Sequence, residues 1–156
     1  MSMFNAYFPE LGPKETRSAS VQGRPGLPDG EYGFIELYCD EAHCDCRRVM
    51  IYVYSRATAP RILATINYGW ESVAFYTKWL RNKQDAQHCV GTSLDPINPQ
   101  TAYAPALLDL FEFLLEDPVY AERLERHYRL FKGAVTNRQQ SKRMGKSKSK
   151  RDRRKR

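Results

Sequence analysis

Three of the four cysteines, Cys39, Cys44 and Cys46, fall within the eight residues "CDEAHCDC". Sulfurs at that spacing can hold a metal ion, exchange electrons, or act as nucleophiles. A strand ending at Cys39 and a strand beginning at Cys46 would bring those two thiols together across a hairpin. A tight turn between them would let Cys44 point the same way. Three such sulfurs suit a tetrahedral soft-ligand site, whose commonest occupant is Zn2+. The fourth ligand expected is Cys89, which would also pin a long polar stretch, with His88 and His43 as rivals. His43 is adjacent to Cys44, and that makes its geometry awkward. Arg47 and Arg48 follow at once and are expected to lower the thiol pKa values and keep thiolates available. The spacing C-x4-C-x-C differs from the C-x2-C pair common among structural zinc sites.

Catalysis by these cysteines finds less support. A cysteine nucleophile needs a positioned base, and the histidines are His43, His88 and His127. His88 could reach only if its loop folds back. His127 falls on an expected helix and reads as a surface or core-edge residue. Asp40, Glu41 and Asp45 crowd the cysteine turn and read as solvated or supporting groups. Neither a G-x-G-x-x-G fingerprint nor a phosphate-cradling P-loop is present. The cluster is therefore read as structural, and an enzyme built on it is the least favoured alternative.

The second chemical feature is charge. From Asn137 to Arg156 there are eleven Lys or Arg and one acid, Asp152, a net of +10. The whole chain carries +7, so the first 136 residues carry −3. A polycation of this density binds phosphate backbones by releasing counterions, with little sequence preference and steep salt dependence. The residues expected to contact nucleic acid, RNA or DNA, are Lys142, Arg143, Lys146, Lys148, Lys150, Arg151, Arg153, Arg154, Lys155 and Arg156, joined by Arg47 and Arg48. The segment has Met144 as its one apolar side chain after Val135, so it is expected to be disordered when free. It offers no apolar face to insert into a membrane. No apolar run approaches the roughly 18–20 residues that span a bilayer. The N-terminus lacks a basic start followed by an apolar block, which suggests the cytoplasm, where clustered cysteines are more often ligands than disulfides.

The elements that must carry these features can be outlined. Residues 1–30 are rich in Pro, Gly and Ser and read as a turn-rich arm, partly docked by Phe4, Tyr7 and Phe8. Three alternating segments follow, "EYGFIELYC", "RRVMIYVYS" and "RILATINYGW", which predict a three-stranded antiparallel meander. Ser72 caps an expected helix to about Leu80, and "RNKQDAQHCVGTSLDPINPQ" reads as a loop of about twenty residues. "YAPALLDLFEFLLED" predicts a helix with a Leu107, Leu110, Phe111, Leu114 stripe. Asp117-Pro118 starts a second, with Tyr120, Leu124, Tyr128 and Phe131 on one face and a stop at Gly133. The expectation is an α+β domain over residues 31–134, with a helical hairpin packed on one sheet face, and a disordered basic tail over 135–156. The other sheet face is expected to carry Phe34, Tyr38, Tyr52 and Tyr54, an aromatic patch open to a protein partner if uncovered. Trp70 reads as a buried aromatic, with an exposed stacking platform as the alternative.

The segments "LPDGEYGFIELYCDEAHCDCRRVMIYV", "ILATINYGWES" and "LDPINPQTAYAPALLDLFE" resemble a group of small uncharacterised bacterial proteins that carry a YC…CDCRR element. The likeness spans about residues 27–132, excludes the tail, and implies no activity. It implies that Cys39, Cys44, Cys46, Arg47 and Arg48 form one shared element. The C-terminal Cys-x-Cys…His-Cys pattern of the SEC-C zinc motif is absent. The functional expectation is a non-enzymatic, zinc-stabilised module that associates with nucleic acid. The alternative is a protein-interaction or adaptor domain whose tail is incidental.

Overall fold

The computed structural model describes the backbone of residues 1–153 and the side chains of residues 1–141. In chain order the elements are β1 (Ser2–Met3), α1 (Phe4–Tyr7), α2 (Gly12–Glu15), β2 (Arg17–Val21), β3 (Gly30–Tyr38), β4 (Arg48–Ser55), β5 (Ile62–Gly69), α3 (Val73–Leu80), α4 (Lys83–Gln87), β6 (Gly91–Leu94), α5 (Ala104–Leu115) and α6 (Pro118–Arg153). The architecture is α+β, but the sheet has six antiparallel strands and not the three expected.

The three central strands are the alternating segments already recognised. The additional three are short edge pieces. β6 lies inside the presumed loop and pairs Gly91 to Leu94 with Gly69 to Ile66. β1 and β2 come from the N-terminal arm and share one edge of β3 in succession, Ser2 opposite Tyr38 and Arg17 opposite Phe34. Segments such as "RSASV" and "GTSL" bring almost no apolar alternation. Their ladder bonds come from the backbone, which every residue carries, so side-chain period cannot reveal them.

Register settles which faces are which. Phe34 pairs with Val53, Glu36 with Ile51 and Ile51 with Ile66, and this face is buried beneath α5 and α6. Tyr38 lies on it too, packed against Tyr128 and Phe131. Ile35 pairs with Tyr52, so Tyr52 and Tyr54 stand on the opposite face. The expected four-residue aromatic patch therefore does not exist, because side chains alternate across each strand and the ladder splits the set between faces.

The helices follow their sequence signals closely. Ser72 Oγ accepts from the Phe75 amide at 3.2 Å, and Asp117 Oδ1 accepts from the Val119 amide at 3.0 Å. Leu107, Leu110, Phe111 and Leu114 of α5 are buried, as are Tyr120, Leu124, Tyr128 and Phe131 of α6. The stop expected at Gly133 is not used. A Cβ there would meet nothing within 4 Å, and Val135 two residues later is 3% exposed against the core. Glycine within a helix costs about 1 kcal/mol, which burial of one valine offsets. The helix runs on through Arg153, so the segment expected to be disordered has helical backbone there. The tail side chains from Lys142 onward, and Arg154, Lys155 and Arg156 altogether, lie outside the described residues. Among the described residues no helix is long and apolar enough to cross a membrane.

The N-terminal arm docks through aromatic rings. Phe4 is 1% exposed and stacks on Phe8 at 4.7 Å and on His127 at 4.0 Å. Tyr7 packs on Phe131 at 4.4 Å.

Candidate metal centre

The loop from Cys39 to Arg47 joins β3 to β4, and its sulfurs converge as the strand spacing predicts. The Sγ atoms of Cys39, Cys44 and Cys46 all lie within 4.8 Å of one another. An ideal Zn–S tetrahedron has S···S edges of about 3.8 Å, given Zn–S bonds of ~2.3 Å. The sulfurs need close by no more than about 1 Å to reach it. The donor set and its spacing therefore allow these residues to bind a metal ion.

Three neighbours fix the loop. The Cys44 amide donates to the Glu41 carbonyl at 3.2 Å, which makes the turn. From α6, Lys132 Nζ donates to the carbonyls of Glu41 at 2.7 Å and Cys39 at 3.2 Å. From α3, the Tyr76 hydroxyl donates to the Arg47 carbonyl at 2.8 Å. Arg47 itself has φ 44°, a left-handed backbone that a side chain seldom adopts, and these contacts hold it there.

The two arginines do not act as expected. Arg47 grips Asp45 through Nε at 3.1 Å and a terminal nitrogen at 3.0 Å, bonds Glu71 at 2.8 Å, and lies 4.6 Å over the Phe75 ring. Its charge is spent on carboxylates and a ring rather than on the sulfurs. Those hydrogen bonds, Arg47 first, hold the Asp45 carboxyl below its usual range. Arg48 turns the other way and places a terminal nitrogen 3.4 Å from Cys89 Sγ. Two of the thiols, Cys44 and Cys46, move up and not down. Burial, then the neighbouring Cys46 and Cys39, push Cys44 up to about 12, and burial raises Cys46 as well. The nearby Lys132 charge lowers Cys46 only in part against burial and the neighbouring Cys39, and a bound metal ion would relieve the rest.

Cys89 is not brought into this group. It is buried in a separate small cluster with Tyr76 and Ala86, under α3 and α4. His43 and His88 are exposed and also stand outside the group. The stretch containing Cys89 is not a loop awaiting a pin. Asn82 caps α4 by accepting from the Gln84 amide at 2.9 Å, and β6 follows directly. The ladder and cap that hold Cys89 away from the sulfurs involve no apolar period, so spacing alone could not reveal them.

Beside the sulfurs the structure opens a cleft. A cavity of about 320 Å³ is lined by Cys39, Cys44 and Cys46 together with Arg48, Met50, Asn67, Trp79 and Asp95. A second, of about 600 Å³, shares Arg48, Asn67 and Asp95 and continues past Cys89 to Thr92 and Ser93. Asp95 is 7% exposed and accepts from Asn67 Nδ2, from the amides of Ile97 and Asn98, and from Asn98 Nδ2, at 2.8 to 3.0 Å. Burial works to raise its pKa, but these bonds outweigh it and the carboxyl sits below its usual value. By accepting from the Ile97 and Asn98 amides Asp95 makes an Asx-type turn. Its place beside the cysteines comes from the β5–β6 pairing.

A buried polar group lies elsewhere in the core. His127, 1% exposed, bonds Glu36 Oε2 through Nδ1 at 2.7 Å and Glu15 Oε2 through Nε2 at 2.6 Å. The Tyr38 hydroxyl donates to the same Glu36 oxygen at 2.9 Å. A signal for this was present: Glu36 interrupts the apolar face between Phe34 and Tyr38. A carboxylate at a core position needs a partner.

Trp70 is half-buried and meets Tyr128 edge-on at 5.4 Å, a packing role rather than an open platform. The chain matches no family model, and no curated protein and no solved structure matches it significantly.

Proposed function

We propose that this chain is a metal-binding module in which Cys39, Cys44 and Cys46 hold a Zn2+ ion as thiolates, and that its basic C-terminal segment attaches it to nucleic acid. The convergence of three sulfurs within 4.8 Å, on a loop clamped from both α3 and α6, carries the metal half of this reading. Sulfur donors select thiophilic ions over magnesium or calcium, and zinc is the commonest occupant of thiolate sites. The purified protein should hold close to one equivalent of zinc. Cys44→Ser and Cys46→Ser should lose it, and Cys89→Ser should keep it. Metal retained in full by Cys44→Ser, or absent from the intact protein, sinks the reading.

The nucleic-acid half rests on the charge of +10 over residues 137–156. Affinity for single-stranded RNA should fall steeply with salt, following about 0.7 counterions released per phosphate neutralised. Deletion of residues 137–156 should abolish it and leave zinc content unchanged. Binding that survives the deletion at moderate salt would favour an interaction domain whose tail is incidental.

A further inference from the structure

We propose that the metal held by the three cysteines keeps one coordination position open to the cleft, and that this position takes a small acidic thiol, its sulfur on the metal and its carboxylate on Arg48. The inference rests on the metal-binding reading above and deepens it.

Four observations support it. Among the described residues, the group within 4.8 Å contains three sulfurs and no histidine, carboxylate or fourth cysteine. Closed structural zinc sites are four-coordinate with protein ligands, whereas three protein ligands leave a position for an outside donor. All three cysteines line the 320 Å³ cavity, so space large enough for a small molecule lies directly beside them.

Arg48 lines the same cavity. Its Nε is buried with no hydrogen-bond partner, and the guanidinium's one hydrogen bond among the described residues is the long contact to Cys89 Sγ at 3.4 Å. No carboxylate pairs with it among the described residues, in contrast to Arg47. An underused guanidinium in a cleft is suited to a planar carboxylate. The cleft's own carboxylate, Asp95, is already occupied by four donors and held on its loop.

The donor preference follows from the metal. A centre with three thiolates favours a further soft donor over hard oxygen. Met50 and Trp79 give the cavity an apolar wall that a short carbon skeleton would cover.

The probe is mercaptoacetate, with 2-mercaptoethanol and acetate as controls, added to the full-length protein loaded with Co2+. Thiolate-to-cobalt charge-transfer absorption reports the number of sulfurs on the ion. Mercaptoacetate should raise that absorption saturably, by about one third, as a fourth thiolate joins three. It should bind at least roughly ten-fold more tightly than 2-mercaptoethanol, the worth of a charge-assisted hydrogen bond. Arg48→Met should remove that difference while leaving the three-thiolate absorption of the free protein unchanged. If mercaptoacetate leaves the spectrum unaltered, the fourth position is closed and the inference fails while the metal site stands. Equal affinity for the two thiols in the unsubstituted protein overturns the role of Arg48. Absence of any thiolate-to-cobalt absorption overturns the metal reading, and this inference with it. Should Arg48→Met fail to fold, Arg48→Lys serves, and it should weaken mercaptoacetate without affecting 2-mercaptoethanol.

Discussion

Glu36 and His127, ninety-one positions apart in the chain, meet at 2.7 Å inside the core, where neither side chain is more than 4% exposed. This contact ties the middle of β3 to α6, and Glu15 on the far side of the ring brings in α2. The expectation that His127 sits at a helix surface or core edge is thereby corrected. Phe4 covers one face of its ring, so it has no route to solvent on that side.

Removing one partner from such a group leaves the other buried without its bond. His127→Ala should destabilise the protein by about 3–5 kcal/mol, the usual cost of orphaning a buried ionisable group. The double variant Glu36→Leu with His127→Phe should recover a substantial part of that loss, since two apolar residues need no partner. Urea unfolding of the singles and the double gives the coupling. Additive losses would mean that the two residues act independently.

Gly69 ends β5 where α3 and α4 press closest. A Cβ at that position would lie 2.0 Å from the Cys89 carbonyl oxygen and 2.6 Å from the Tyr76 hydroxyl. Gly69→Ala must therefore push the α3–α4 segment away from the sheet, and because Tyr76 also holds the Arg47 carbonyl, the cysteine loop loosens too. The expected cost is about 1–3 kcal/mol from overpacking. Thermal unfolding measures the loss, and zinc titration of the variant should show weaker retention than Gly133→Ala, where a Cβ meets nothing.

Asp95 sets a pH dependence. Its folded-state pKa lies below its unfolded value, so its ionised form stabilises the fold at pH above the unfolded value of about 4, and that contribution disappears as pH falls through the folded value. Asp95→Asn should be less stable than the parent at pH 7, and the difference between them should shrink as pH is lowered below about 4. Parallel stability curves across that range would show that the hydrogen bonds serve either form equally.

Metal should stabilise by mass action. At free zinc one hundred times the dissociation constant, the folded state gains about 2.7 kcal/mol. A chelator strong enough to strip the ion should lower the melting temperature of the parent and leave that of Cys44→Ser unchanged. Equal shifts in both would place the bound zinc elsewhere.

How much of this was legible in the sequence differs by region. β3, β4, β5, α3, α5 and the first four turns of α6 were readable because apolar residues recur with the period of the element, and because Ser72 and Asp117 mark helix starts. The three sulfurs were readable for the same reason, since strand ends bring Cys39 and Cys46 together. What the pattern could not supply is pairing between backbones of polar segments. β1, β2 and β6 are all of this kind. The position of Cys89, outside the three-sulfur group, depends on β6 and on the Asn82 cap. The choice of which arginine faces the cleft depends on the left-handed turn at Arg47, which no residue type announces, since glycine is the usual occupant there.

The Lys132 contacts have a consequence for the growing chain. The three cysteines lie within eight residues, but the clamp on their loop comes from a lysine 93 positions beyond Cys39. During synthesis the sulfurs emerge long before α6 exists, and they stay on an unclamped hairpin until it arrives. Zinc captured early would be held loosely and exchangeably, then retained once Lys132 of α6 reaches the loop. A fragment stopping at residue 117 should therefore surrender zinc to a chromogenic chelator faster than the full chain. Equal release would mean the hairpin alone defines the site.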